Sequence, residues 1–239
     1  MGNYGISSDL LIYEWSELHY LKLGNDLGIE AYKILLKNQE DSLVKTISEL
    51  DFKIKSDPLF DSLNQDDSQS YSNQVYGIEE LINSELQLQQ RYSLCVALFS
   101  FLEGRLNQIC LAIEGNSNIK FDKRKKKDGE FDNLSWCMRY LINIYGIKSK
   151  KTIVSFESIQ KYKQLRNPIV HNEGLISKLK KLEIEAVQGI NLISIANNFQ
   201  IEIKETIFFD NLISHIDDLL NEILIAVHYR YIERKDNSK

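Results

Sequence analysis

Residues 164–174 read Gln-Leu-Arg-Asn-Pro-Ile-Val-His-Asn-Glu-Gly. Leu165, Ile169 and Val170 are bulky and apolar and have to sit in a core, which fixes the backbone carrying Arg166, Asn167 and His171. Arg166 and His171 are five apart, which on an ideal helix sets them about 140° from each other. Pro168 removes one helical hydrogen bond and clashes with the carbonyl four residues back, so a kinked or restarted helix is predicted here. Such a bend turns guanidinium and imidazole toward one cleft.

The rest of the chain reads as a helical scaffold for that turn. It has 239 residues, 43% of them hydrophobic and 26% charged, enough for one large domain or a domain with an arm. Only Pro58 and Pro168 interrupt it, which favours long helices. A net charge of −5 leaves no general attraction for nucleic acid, so any such binding has to come from a local patch. Cys95, Cys110 and Cys137 lie in apolar helical contexts without close pairing, as expected of buried thiols in a reducing cytoplasm. No unbroken run of about 18 apolar residues and no basic-then-apolar leader are present, so neither a membrane span nor export is expected.

Taken in order, residues 9–55 have apolar side chains at three-to-four spacing, with Asp9 as N-cap and Gly24-Asn25-Asp26 with Gly28 splitting them into two helices. Leu35 and Ile47 count among the inward positions. Residues 1–57 form an N-terminal helical arm and 58–77 a polar linker, mobile where Asp, Ser, Gln and Asn crowd residues 61–73. The main helical domain spans 78–233. Its first helix, 78–114, is apolar nearly all round from residue 94 and so is the central buried element. Glu103 interrupts that apolar stretch with no cation three or four residues away, so its partner has to come from another element. Gly104 beside it suggests a backbone passing close by. Helices follow over 134–145, 152–166 and 175–187. Period-two alternation around Asn197-Asn198 then predicts a small β-hairpin near 190–207, before a last helix over 210–232.

An arginine and a histidine in one cleft suit phosphate chemistry. Guanidinium grips phosphate oxygens through fixed paired donors, and imidazole moves a proton near neutral pH. RNA carries its own 2′-hydroxyl nucleophile, so no metal, cofactor or protein nucleophile is called for. The spacing alone is weak, because a chain with this many Arg and His shows Arg-x4-His by chance roughly one time in eight. Plainer readings stand beside it. Arg166 and Glu103 can form a structural ion pair, Asn167-Pro168 can be an N-cap with a first-turn proline, and His171 can be a satisfied half-buried histidine. Glu103 can also snorkel to the helix edge. Lys123, Arg124, Lys125, Lys126 and Lys127 form a basic run suited to an RNA backbone, or simply a solvated loop. His19, His215 and His228 read as structural.

The run Leu165-Arg166-Asn167-x-Ile169-Val170-His171-Asn172-x-Gly174, with the upstream Phe101-Leu102-Glu103, resembles the HEPN superfamily over about residues 78–232. Members of that family are mostly helical bundles that dimerise and set two Arg/His motifs across one cleft. Many are metal-independent endoribonucleases of toxin–antitoxin, abortive-infection or antiviral defence systems. The resemblance implies a mainly α, HEPN-like bundle and a homodimer acting on RNA, with an antitoxin or another defence protein as partner. His171 would then be catalytic, Arg166 would contact the scissile phosphate, Asn167 would assist and Glu103 would orient Arg166. The products would carry a 2′,3′-cyclic phosphate and a 5′-hydroxyl. Glu173 stands where some relatives carry a modifiable Tyr, and Pro168 is less usual than a plain helix former. Other members of the family have lost cleavage and serve as binding or dimerisation modules, which is the alternative reading.

Overall fold

The computed structural model describes residues 13–117, 119–122 and 133–237. The fold is mainly helical with a small antiparallel sheet. At its centre is α3 (Gly77–Asn116), whose second half is apolar on nearly every side and therefore has to be surrounded. Leu94, Leu98, Leu102, Leu106, Ile109 and Ile113 are buried in it. Around it pack α1 (Glu17–Ser56), α4 (Asn133–Arg139), α5 (Lys150–Asn172) and α7 (Ile207–Asp236). By length and composition α3 is apolar enough to cross a membrane; here its apolar half is the middle of the helical core.

The expected break at Gly24-Asn25-Asp26 is absent, and α1 is one helix of 40 residues. A β-carbon at Gly24 would overlap the Arg105 guanidinium, and one at Gly28 the Phe101 ring. These glycines let α3 approach instead of ending a helix. Asn25, fully buried between them, accepts from Arg105 Nε at 2.6 Å, and Arg105 Nη2 donates to the Leu21 carbonyl at 2.8 Å. The inward side of α1 is a narrow seam in which Ile29, Leu36, Leu43 and Leu50 recur every seven residues, as in a coiled coil. Leu35 and Ile47 fall outside that seam and are exposed, contrary to expectation. Tyr13, Trp15, Leu18, Ile29 and Leu36 belong to the same apolar cluster as α3 and α7, so α1 shares its core with the helices of 78–233. The Asp9 cap lies outside the described residues.

The polar stretch after α1 is not structureless. A 3-10 turn at Phe60–Ser62 leads into α2 (Gln65–Val75). Asn64 caps α2 by accepting from the Asp67 amide at 2.9 Å, and Asp66 and Asp67 complement the dipole of its first turn. The Asp57 carboxylate accepts from the Tyr71 and Tyr76 hydroxyls at 2.9 and 2.8 Å, tying the end of α1 to α2. No residue of α2 is buried, which is why its composition resembles a linker.

One buried ion pair joins three elements. Arg91 of α3 is 6% exposed; its Nη2 donates to both Glu40 oxygens at 2.9 and 2.8 Å. Its Nη1 donates to the carbonyls of Ile203 and Lys204 at 2.8 and 2.7 Å. The guanidinium thereby fastens α1 and the end of the sheet to the central helix.

The sheet consists of β1 (Leu175–Ser177), β2 (Ile190–Ile195) and β3 (Asn198–Ile203), all antiparallel, with β3 in the middle. The helix expected over 175–187 is replaced by β1, a 3-10 turn at Lys178–Lys180 and the short α6 (Lys181–Glu185). Glu173 and Gly174 adopt φ of 52° and 80°, turning the chain so that Ile176 pairs with Phe199. Leu179 and Leu182, which made the helical pattern, are exposed. The hairpin occurs as expected, but its turn is Ala196-Asn197, since Ile195 pairs with Asn198. Ala196 sits at φ 51°, where a β-carbon is crowded. Ala196→Gly is expected to raise stability by about 0.5–1 kcal/mol in thermal melts, since only glycine visits this region at no steric cost.

Candidate functional site

Ser149 opens α5 by accepting from the Thr152 amide at 3.2 Å. Ile159, Tyr162, Leu165 and Ile169 face the core, while Val154, Glu157, Lys161, Gln164, Asn167 and His171 form the opposite, exposed stripe. Beyond Asn172 the Gly174 amide donates back to the Pro168 carbonyl at 3.0 Å, which closes the helix end. A side chain at Gly174 would strike the Tyr92 hydroxyl, which itself donates to the Ile201 carbonyl. The motif is therefore clamped against α3 and the sheet.

The predicted restart at Pro168 does not occur, and α5 runs through it without interruption. Pro168 lies in the last turns, where one lost amide bond is tolerated while Leu165 and Ile169 hold the helix to the core. Arg166 and His171 thus remain about 140° apart, with a rise of roughly 7.5 Å between them. His171 shares the exposed stripe with Asn167, one turn before it. Arg166 lies at the stripe's edge, half-buried. Its Nη1 donates to Asn167 Oδ1 at 3.3 Å, its Nε is buried without an acceptor, and no carboxylate pairs with it among the described residues. His171 is exposed, and its imidazole has no hydrogen-bond partner among the described residues. Arg166 and Asn167 are brought together; His171 is presented separately, at the helix end.

Glu103 does not join them. Burial pushes the Cys95 thiol up to about 12, and the charge of Arg166 acts against that rise. Glu103 lies eight residues further along α3, roughly 12 Å of helix rise away. The expected Arg166–Glu103 pair is absent, and the carboxylate instead lines a cavity with Ser100, Gly104, Asn107, Asn133 and Trp136. Gly104 is not a point of backbone approach either, because a β-carbon there would meet nothing within 4 Å.

Lys123, Arg124, Lys125, Lys126 and Lys127 lie outside the described residues. A basic group that sequence reasoning passed over follows the motif directly: Lys178 and Lys180 are exposed beyond β1, and Lys181 sits 4.9 Å from the centre of the Phe199 ring. The run Lys-Leu-Lys-Lys was its signal, hidden by reading the segment as an amphipathic helix. No group of three or more His, Cys, Asp or Glu that could hold a metal is present among the described residues. His19 Nε2 lies 3.1 Å from the Tyr13 carbonyl, and His215 packs against the Tyr162 ring.

His228 is buried edge-on to Tyr13 with its Nδ1 unpartnered. Burial lowers its pKa below the usual 6.5, outweighing the attraction of the Glu14 carboxylate. Below that value the unfolded chain binds the proton and the folded chain resists it, so stability falls as pH drops through about 6.5. Denaturant melts between pH 7.5 and 5.5 are expected to show that loss, and His228→Phe is expected to flatten it.

No family model matches the chain, and no curated protein and no solved structure matches it either.

Proposed function

We propose that the chain is a HEPN-like, metal-independent endoribonuclease whose reaction is centred on the end of α5. The observation that carries this reading is an arginine with no carboxylate partner among the described residues, one turn and a half before an exposed imidazole. Arg91 and Arg230 differ, since Glu40 and Glu233 neutralise them, whereas Arg105, also without a carboxylate, is taken up by Asn25, Gln108 and the Leu21 carbonyl. In the reaction, His171 accepts the proton of an RNA 2′-hydroxyl as that oxygen attacks the adjacent phosphorus. Arg166, steadied by Asn167, stabilises the charge gathering on the phosphoryl oxygens. The O2′–P bond forms and the P–O5′ bond breaks, leaving a 2′,3′-cyclic phosphate and a 5′-oxygen that takes up a proton.

Two copies are needed to complete such a cleft, because 140° of helix separates the two side chains within one chain. The exposed α5 stripe supports pairing of copies, with Ile153 and Val154 open along it and Val170, expected in the core, open beside it. Defence or growth arrest, with an antitoxin or another defence protein as partner, follows from the family resemblance. The uninterrupted α5 also favours a second reading, a HEPN-like dimerisation or binding module that holds RNA or protein without cutting it. The two readings separate in EDTA. Wild type is expected to cut single-stranded RNA there, to leave cyclic phosphate ends, and to spare a substrate lacking the 2′-hydroxyl at the cleaved position. Intact RNA after incubation with folded protein supports the binding module instead.

A further inference from the structure

The two edges of the sheet are built differently. On the β1 side the edge strand has only three residues and runs into the exposed Lys178 and Lys180. Past its start the β3 carbonyls are already occupied, since Tyr92 donates to Ile201 and Arg91 to Ile203. The β2 side has none of this cover. β2 runs for six residues, Ile-Asn-Leu-Ile-Ser-Ile, without proline, bulge or charge. Ile193 and Ile195 are 44% and 42% exposed on the face away from the core. Natural sheets blunt such an edge, because an open apolar strand is a template for another.

The register identifies the open main-chain groups. The Ile201 amide donates to the Gly174 carbonyl at 3.0 Å, so Ile201 turns its main chain toward β1. Main-chain direction alternates along a strand, so Gln200 and Glu202 turn toward β2 and bond with Ile193 and Asn191. Ile190, Leu192 and Ser194 therefore point their N–H and C=O groups away from β3. No backbone or side-chain group is bonded to them among the described residues.

We propose that β2 pairs antiparallel with β2 of a second copy of this chain, joining two three-stranded sheets into one. The strand is its own complement. With Leu192 on the twofold axis, Leu192 faces Leu192 and Ile190 faces Ser194 of the other copy, so every open group meets a partner. Any other twofold register sets Ile190 or Ser194 opposite a residue outside the strand. Charge favours a copy over a foreign strand. The chain carries −5, yet no charged residue occurs from Ala186 through Ile201, so two copies meet here without like charges opposed. An uncharged strand also offers nothing by which to choose an oppositely charged partner. The pairing is separate from the α5 stripe, and its failure leaves the ribonuclease reading untouched.

The test uses the full-length chain, whose own cysteines are all buried. Antiparallel pairing holds the two Leu192 Cα atoms about 5.5 Å apart, within the roughly 4.4–6.8 Å that a disulfide spans. Leu192→Cys is therefore expected to give a covalent dimer on mild oxidation. Ile195→Cys, which in this register lies roughly 20 Å from its own copy, is not. Ser194→Pro removes an amide that points outward, so the chain keeps its own ladder and stays folded. In light scattering across a dilution series it is expected to weaken pairing roughly tenfold or more, since two main-chain hydrogen bonds are lost per dimer. Ser194→Lys, which keeps every backbone group, is expected to act in the same direction. A folded wild type that stays monomeric would leave the edge to a strand of another protein and overturn the proposal. A dimer that crosslinks equally with Leu192→Cys and Ile195→Cys, or that is unchanged by both Ser194 variants, would pair elsewhere and overturn it too.

Discussion

Glu40→Ala is expected to destabilise the protein by about 3–5 kcal/mol, the usual cost of removing one partner of a buried ion pair. The Arg91 guanidinium is 6% exposed and would keep its charge in a largely buried site, with the Ile203 and Lys204 carbonyls as its remaining acceptors. For a chain of this size a loss of 3 kcal/mol corresponds to a fall of roughly 6–12 °C in melting temperature. The loosening should be greatest where α1, α3 and β3 meet, and amide exchange in Ile201–Ile203 is expected to accelerate with it. By contrast, the exposed Lys53–Glu79 pair, at 2.7 Å, is expected to contribute between 0 and about 1 kcal/mol. A melting temperature unchanged by Glu40→Ala would mean that Arg91 is held by the two carbonyls alone.

Arg166→Ala is expected to do the opposite, sparing stability and removing activity. The guanidinium has no carboxylate to leave behind, and its buried Nε lacks an acceptor already, so truncation should cost no more than about 1 kcal/mol. Cleavage should fall by about 10²–10³, the effect of deleting one donor aimed at charge that develops in the transition state. Arg166→Lys is expected to recover little of it, because an ammonium cannot reproduce the planar fork that grips two phosphoryl oxygens. Single-turnover cleavage rates, read beside melting curves for the same preparations, measure both effects at once. A loss of several kcal/mol in stability with Arg166→Ala would instead mark the residue as structural.

The parts of the fold written in local pattern were legible in the sequence. Leu94 to Ile113 could only be a surrounded helix, and the alternation of Ile190, Leu192, Ile201 and Ile203 could only be a hairpin. The turn came out one residue early because Asn198 enters the ladder and Ala196 takes the left-handed position that asparagine usually occupies. Gly24 and Gly28 misled for a different reason. Glycine marks both a break and a close approach, and only the presence of Phe101 and Arg105 across the interface decides between them. The Arg91–Glu40 pair had no signal at all, since charges on separate helices find each other through tertiary packing. The same limit applies to Glu103, which has no cation three or four residues away and lines a cavity beside Trp136 instead of pairing with Arg166.

His171→Ala tests the central claim most directly, because the imidazole is exposed and truncating it leaves the core untouched. Wild type and variant, matched in melting temperature, are to be incubated with single-stranded RNA in EDTA and their initial cleavage rates compared. A loss of about 10²–10⁴ in rate is predicted, the usual contribution of a positioned general acid or base. Equal rates from the two proteins would contradict it.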